Sequence, residues 1–233
     1  MTEKEKIFND IVEDYDKSEH FSGKLCPDQY ICNIEIIKNY YFNQNTRKNI
    51  FAKDSVTVIE KNIPNAENIL ILILESPHTD EFDENGNPIG PANGTTGYNI
   101  REHILDILGN GYKSYHLILM NAIPFQCSLG LKLNENKQNQ KTRDEVFAKV
   151  WEDKDIGADF FKKRFQNLLK ELKNKSVIIV NACTAGKKKG NVQAIIDAEF
   201  GVIQLAHPSS RNWSSKIECE KEKVKAAGLY IEK

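Results

Sequence analysis

Residues 67–80 read ENILILILESPHTD. An unbroken apolar run from Ile69 to Leu74 gives way at once to a carboxylate, a hydroxyl, a proline and an imidazole. A run this short, continuous and rich in Ile and Leu suits a strand buried on both faces. Three more runs share its character: SYHLILMN at 114–121, KSVIIVNA at 175–182 and FGVIQLAH at 200–207. Helical periodicity fills the intervals, in YNIREHILDIL, in RDEVFAKVWE and GADFFKKRFQNLLKELKN, and in NVQAIIDAEF. Strand and helix alternating in this way predict an α/β fold. The expected form is a three-layer α/β/α sandwich with a central, mainly parallel four-stranded sheet and right-handed crossovers. Before the first run, KEKIFNDIVEDY carries apolar residues at 7, 8, 11, 12 and 15, and DQYICNIEIIKNYYF has a similar stripe. Residues 1–65 are therefore expected to be a helical extension packed on a single domain spanning 1–233.

Composition narrows the function. A chain of 233 residues favours one domain. Lys plus Arg number 32 against 33 Asp plus Glu, a net charge of −1, so no global basic field points to nucleic acid and any such contact needs a local patch. Five cysteines lie scattered at 26, 32, 127, 183 and 219 without a Cys-x-x-Cys pair, which reads as free buried thiols in a reducing compartment. The start, MTEKEKIFND, is charged and unlike a signal peptide, and no apolar run approaches membrane-spanning length. The expectation is a cytoplasmic monomer with no membrane contact.

In a parallel α/β sheet, ligands collect beyond the carboxyl ends of the strands. Here those ends read ESPH, NAIPFQC, NACTAGKKKG and AHPSSRNW. They would bring Glu75, Asn121, Asn181 and His207 to one edge. Each has an ordinary reading too. Asn121 and Asn181 suit turn caps, His207 before proline suits a hydrogen-bonded core histidine, and SPHTDE suits a helix start with acidic residues in its first turn. Asn181 is read as structural; the joint placement of the others reads as a site. Two long loops, 78–97 and 127–142, are polar and of a length that often carries function.

The order ESPHTDEF…NPIGPANGTTGYNI, then LILMNAIP, then LAHPSS resembles the uracil-DNA glycosylase superfamily over roughly residues 65–213. Glu75-Ser76-Pro77-His78 is closest to the first motif of its thermostable bacterial and archaeal branch, Gly-Glu-Ala-Pro-Gly. The resemblance implies DNA as partner and hydrolysis of the N-glycosidic bond of a flipped-out base. Glu75 would stabilise the sugar cation or position water, and His207 would donate to the leaving base. Asn121, His78, Asn99 and Ile89 would contact the base. Ser76, Pro77, Ser209, Ser210 and Arg211 would lie along the DNA backbone, with Trp213 as a wedge and the GKKKG run at 186–190 adding local positive charge. The pattern also departs from the branch. Leu74 replaces its opening glycine, Ile89 its stacking Phe, and His78 a small or aromatic residue. Cys127 falls near an iron–sulfur ligand position without the expected partners, so no cluster, metal or other cofactor is expected. Uracil and modified bases both remain open as substrates. The alternatives are a non-catalytic nucleic-acid or nucleotide-binding module, and an unrelated hydrolase of a small molecule. The absence of a Gly-x-Ser-x-Gly elbow and of a P-loop counts against the latter.

Overall fold

A computed structural model describes residues 1–39, 66–133, 135–196 and 202–230. Four parallel strands appear where the apolar runs predict them. They are β2 (Asn68–Leu74), β3 (His116–Asn121), β4 (Ser176–Asn181) and β5 (Val202–Gln204). A fifth strand, β1 (Gln29–Asn33), lies antiparallel to β3, and the sheet order is β1-β3-β2-β4-β5. Among the described residues the expected four-stranded sheet is therefore five-stranded.

The described part of the stripe in DQYICNIEIIKNYYF is thus not an α-helix. Its first part pairs with β3, and Ile34–Asn39 follows as a 3₁₀ turn. The physical reason is tertiary: β3 offers an open edge, and β-branched Ile31 between Tyr30 and Cys32 suits a pleated surface as well as a helix. The remainder of that stripe, and the rest of the chain up to residue 65, lie outside the described residues. The segment before the sheet does begin with a helix, α1 (Glu3–Ile11), closed at its start by a reciprocal Thr2–Glu5 capping box. Phe8 of α1 stacks on Phe125 at 4.7 Å, so this part of the chain belongs to the core.

The two-residue period of β2 divides that core. Ile69, Ile71 and Ile73 face one layer, and Leu70, Leu72 and Leu74 the other. The first layer holds α1, α3 (Lys137–Glu152), α4 (Ala158–Glu171) and α5 (Lys187–Ile196). The second holds α2 (Thr95–Leu108), the short α6 (Asn212–Ser215) and α7 (Ile217–Ala226). This is the α/β/α sandwich. Each buried Ile or Leu contributes about 1.5–3 kcal/mol to holding the layers together.

The connections set the position of the site. The chain leaving β2 runs to α2 in one layer; the chain leaving β4 runs to α5 in the other. β2 and β4 are neighbours, so their diverging connections open a crevice at their carboxyl ends.

Candidate functional site

That crevice is a cavity of about 510 Å³. It takes in Glu75, Ser76, Pro77, His78, His207 and Ser209, so the first and last sequence motifs meet there although more than a hundred residues separate them. Thr95 and Thr96 from the start of α2, Thr184 after β4, and Ser128 and Lys132 from the loop before α3 complete much of its wall.

Glu75 is placed by the sheet. Ile123 N–H donates to its carbonyl at 3.0 Å, continuing the β2–β3 ladder one residue past the strand. The side chain, 4 % exposed, continues the face of Ile71 and Ile73 and meets α3 and α5. There Lys188 Nζ donates to Glu75 Oε1 at 2.7 Å, and Arg143 Nε lies 3.7 Å from the same oxygen. Asp144 closes the network, accepting from Lys188 at 2.5 Å and from Arg143 Nη2 at 2.7 Å. Burial pushes the Glu75 carboxyl upward. Lys188, Arg143 and the Thr184 hydroxyl together outweigh it and hold Glu75 below its ordinary range, ionised at neutral pH. Its Oε2 is buried without a hydrogen bond of ordinary geometry.

His207 is placed by its loop. Ala206 N–H donates to Glu220 Oε2 at 2.6 Å, and Trp213 Nε1–H donates to Ala206 O at 2.7 Å. Asn99 Nδ2 donates to Pro208 O at 2.6 Å, and Lys189 Nζ reaches Leu205 O. The imidazole Nδ1 accepts from Ser209 N–H at 3.2 Å and sits 2.8 Å from Ser209 Oγ. An Nδ1 that accepts from a backbone N–H carries no proton, so the neutral ring has its proton on Nε2. Burial lowers the His207 pKa to about 4, and Lys189, Arg143 and Lys188 press in the same direction against Glu75. At pH 7 the cavity therefore holds a carboxylate and a neutral imidazole able to donate from Nε2.

A second carboxyl group shares the wall. Glu81 ends a 3₁₀ turn, Thr79–Glu81, and is 4 % exposed. Burial raises its pKa well above the ordinary range despite backbone hydrogen bonds from the His78 and Ala92 positions. This group is the counterpart of Glu75: burial dominates, and the Asp80 carboxylate nearby adds to the upward push.

Several sequence expectations change. SPHTDE starts no α-helix, and His78 precedes the 3₁₀ turn without a side-chain cap. Asn99 holds the Pro208 carbonyl instead of facing the cavity. Ile89 packs in the loop, its N–H donating to Glu81 O at 2.9 Å, and is not part of the cavity wall. Asn121 is fully buried beside Leu74 and likewise stands behind the wall. Ser210 and exposed Arg211 lie outside it. Trp213 is 0 % exposed with its N–H satisfied, so it is core and not a wedge. The stretch from Cys127 to Gly130 is buried, so the polar 127–142 loop is anchored at its start and becomes α3 from Lys137. Two lysines of the GKKKG run turn inward while Lys187 stays exposed: Lys188 serves Glu75, and Lys189 serves the His207 loop. Asn181, read as structural, indeed accepts from Cys183 N–H and donates to Gln193 Oε1 at 2.8 Å. Cys26, Cys32, Cys127 and Cys183 are buried free thiols, but Cys219 is exposed.

The sequence reading passes over Arg143, Asp144 and Glu220, and takes Lys188 only as part of the positive GKKKG run. The available signal was three consecutive lysines, 187–189, soon after the apolar run that ends at Asn181.

Among the described residues no group of three or more His, Cys, Asp or Glu side chains is arranged to hold a metal ion, and no helix is long and apolar enough to cross a membrane. No protein-family model, curated protein or solved structure matches this chain.

Proposed function

We propose that this protein is a DNA glycosylase. It would hydrolyse the N-glycosidic bond of a flipped-out uracil or modified base and leave an abasic site, in base excision repair or in defence against phage DNA. The observation that carries the reading is the pairing, in one crevice, of an ionised buried carboxylate with a neutral histidine donor. Breaking the C1′–N bond leaves the bonding electron pair on the base and positive charge on the sugar. Glu75, too weak a base to remove a proton efficiently, acts as a fixed negative charge opposite the oxocarbenium-like sugar. His207 Nε2–H stabilises the anion developing on the base. Water then adds to C1′ and releases its proton to solvent. No resident metal or cofactor is invoked. The working form is taken to be a cytoplasmic monomer.

The test is excision from oligonucleotides and phage DNA carrying uracil, hypoxanthine, or hydroxymethylated or glucosylated cytosine. Abasic sites formed by the wild-type protein, and lost in Glu75→Gln and His207→Ala, support the reading. Folded protein that produces none on any substrate overturns it.

One observation favours a second reading, a nucleic-acid or nucleotide-binding module without turnover. Lys188 stands 2.7 Å from Glu75 and neutralises part of the charge that catalysis needs. In that case Glu75→Gln alters binding and has no cleavage to abolish.

A further inference from the structure

Buried polar atoms without a hydrogen-bond partner are rare in folded proteins, and each one calls for an explanation. In this protein several belong to residues at or just beyond the carboxyl ends of β2 and β3. Among the described residues the set includes Gln29 Oε1 and Nε2, Asn121 Oδ1 and Nδ2, Glu75 Oε2, Glu81 Oε2, Ser128 Oγ and Ser210 Oγ. Gln29 and Asn121 are the two carboxamides in this set, and both polar atoms of each are unsatisfied although the residues are 0 % and 1 % exposed.

The two amides share one corner. β1 runs antiparallel to β3, so Gln29, the first residue of β1, comes to the edge where β3 ends. It pairs with Leu119, two residues before Asn121, and side chains two apart on a strand share a face. Diagonal neighbours of this kind lie about 7–8 Å apart at Cα, within reach of long side chains. Leu119 and Leu74, the cross-strand neighbours of Gln29 and Asn121, both belong to the layer containing α2 and Ala92. Arg164 braces the corner from behind. Its Nη1 binds both oxygens of Asp28 at 2.6 Å, and its Nη2 donates to Asn121 O at 2.7 Å.

One turn of chain stands between this corner and the cavity. A Cβ on Gly90 would fall 2.4 Å from Gln29 Oε1, so the absence of a side chain there admits the carboxamide. Asn93, on the cavity wall, donates from Nδ2 to Gly90 O at 3.2 Å. Within this turn Gly90 has φ 151°, Ala92 has φ 58° and Gly94 has φ 75°. Ala92 is a non-glycine residue in the left-handed region, which stores strain that a shift of the turn would relieve.

We propose that Gln29 and Asn121 form a carboxamide pair that reads the edge of a planar heterocyclic base, reached past the Gly90–Asn93 turn. A carboxamide offers one donor side and one acceptor side, the pattern that matches alternating groups on a base edge. A second amide, one strand farther from Glu75, extends the contact beyond what Asn121 alone can make. Gln29 is thereby a specificity-determining residue. The inference deepens the glycosylase reading and rests on it for the identity of the ligand as a base.

The experiment uses Gln29→Leu and Gln29→Met, both close to glutamine in volume, with free uracil, cytosine, adenine and hypoxanthine as probes. Melting temperature is recorded with and without each base, and excision is assayed in parallel. An amide kept for a ligand is a liability to the empty protein, so the variants melt at or above the wild-type temperature. At least one base stabilises wild type, and its half-saturating concentration rises about tenfold or more in the variants. Variants that melt well below wild type show a structural amide and overturn the proposal. So does a wild type that no base stabilises, or base-induced stabilisation that persists unchanged in both variants. Base-dependent stabilisation lost in the variants, without excision by wild type, would sink the catalytic reading while leaving the carboxamide pair standing as a binding site.

Discussion

Lys188 Nζ lies 2.7 Å from Glu75 Oε1 and 2.5 Å from Asp144 Oδ1, so one ammonium from the first turn of α5 joins the end of β2 to α3. Glu75 and Lys188 are 4 % and 8 % exposed, which makes the contact a buried ion pair in the wall of the cavity.

Lys188→Met leaves a buried carboxylate with Arg143 as its nearby cation and the Thr184 hydroxyl beside it. Loss of one partner of a buried pair costs about 3–5 kcal/mol. The sign of the pH dependence also reverses at this site. In wild type the folded-state pKa of Glu75 is depressed, so its contribution is full above the ordinary 4.5 and is lost as pH falls through the lower folded value. In the variant burial dominates, and protonation relieves the site on acidification. Urea denaturation at pH 7 and pH 4.5 should show the deficit shrinking at the lower pH; a constant deficit would refute this account.

Glu75→Gln preserves shape and removes the charge. The variant should fold, bind DNA as wild type does and lose excision by at least about a hundredfold, since a preorganised charge is typically worth 10²–10³ in rate. Single-turnover kinetics with a fluorescence binding assay separates the two effects. Residual excision near the wild-type rate would remove Glu75 from the chemistry.

His207 titrates at about 4 in the folded protein against an ordinary 6.5. A base with a depressed folded pKa gives stability that is present above 6.5 and lost as pH falls toward 4, because the unfolded chain binds its proton first. Wild type should therefore lose stability across this window, and His207→Asn should lose less. Excision should stay flat from about pH 8 down toward 5 as far as this group is concerned. An inflection near 6.5 that disappears in His207→Asn would show that the ring titrates normally.

Asn99 Nδ2 tethers the His207 loop through the Pro208 carbonyl at 2.6 Å. Asn99→Ala leaves a buried carbonyl unsatisfied and should cost about 1–3 kcal/mol. Because Asn99 stands off the cavity wall, the kinetic effect should fall on kcat with KM nearly unchanged. A rise in KM alone would indicate direct contact with substrate.

Gly90→Ala introduces a Cβ 2.4 Å from Gln29 Oε1 at a φ of 151°. Both steric and backbone costs oppose it, and thermal denaturation should show a loss of about 1–3 kcal/mol. Combining it with Gln29→Ala should recover part of that loss, since the clash is with the carboxamide. No recovery would place the whole cost in the backbone.

The fold was legible where local pattern and burial agree. The runs at 69–74, 116–121 and 176–181 are mostly apolar on both faces because helices cover both faces of the sheet. The helical stripes between them name their own buried faces, as Phe161, Phe165 and Leu168 do on α4. The polar residues that end the strands were legible as a group, because parallel strands must deliver their carboxyl ends to one edge.

What the chain itself determined, then, is the α/β alternation, the strand sequence and the presence of Glu75 and His207 at strand ends. Tertiary structure decided the rest. It recruited Gln29–Asn33 as an antiparallel edge strand because β3 had an unpaired side to fill, a fact invisible in a stripe that suits helix or strand. It turned Lys188 and Lys189 inward, moved the Glu75 and Glu81 carboxyl pKa values in opposite directions, and fixed His207 in one tautomer. Those outcomes depend on which charge or backbone group lies within a few ångströms across the fold. Coulomb and hydrogen-bond energies change steeply over that range, and sequence separation says nothing about it.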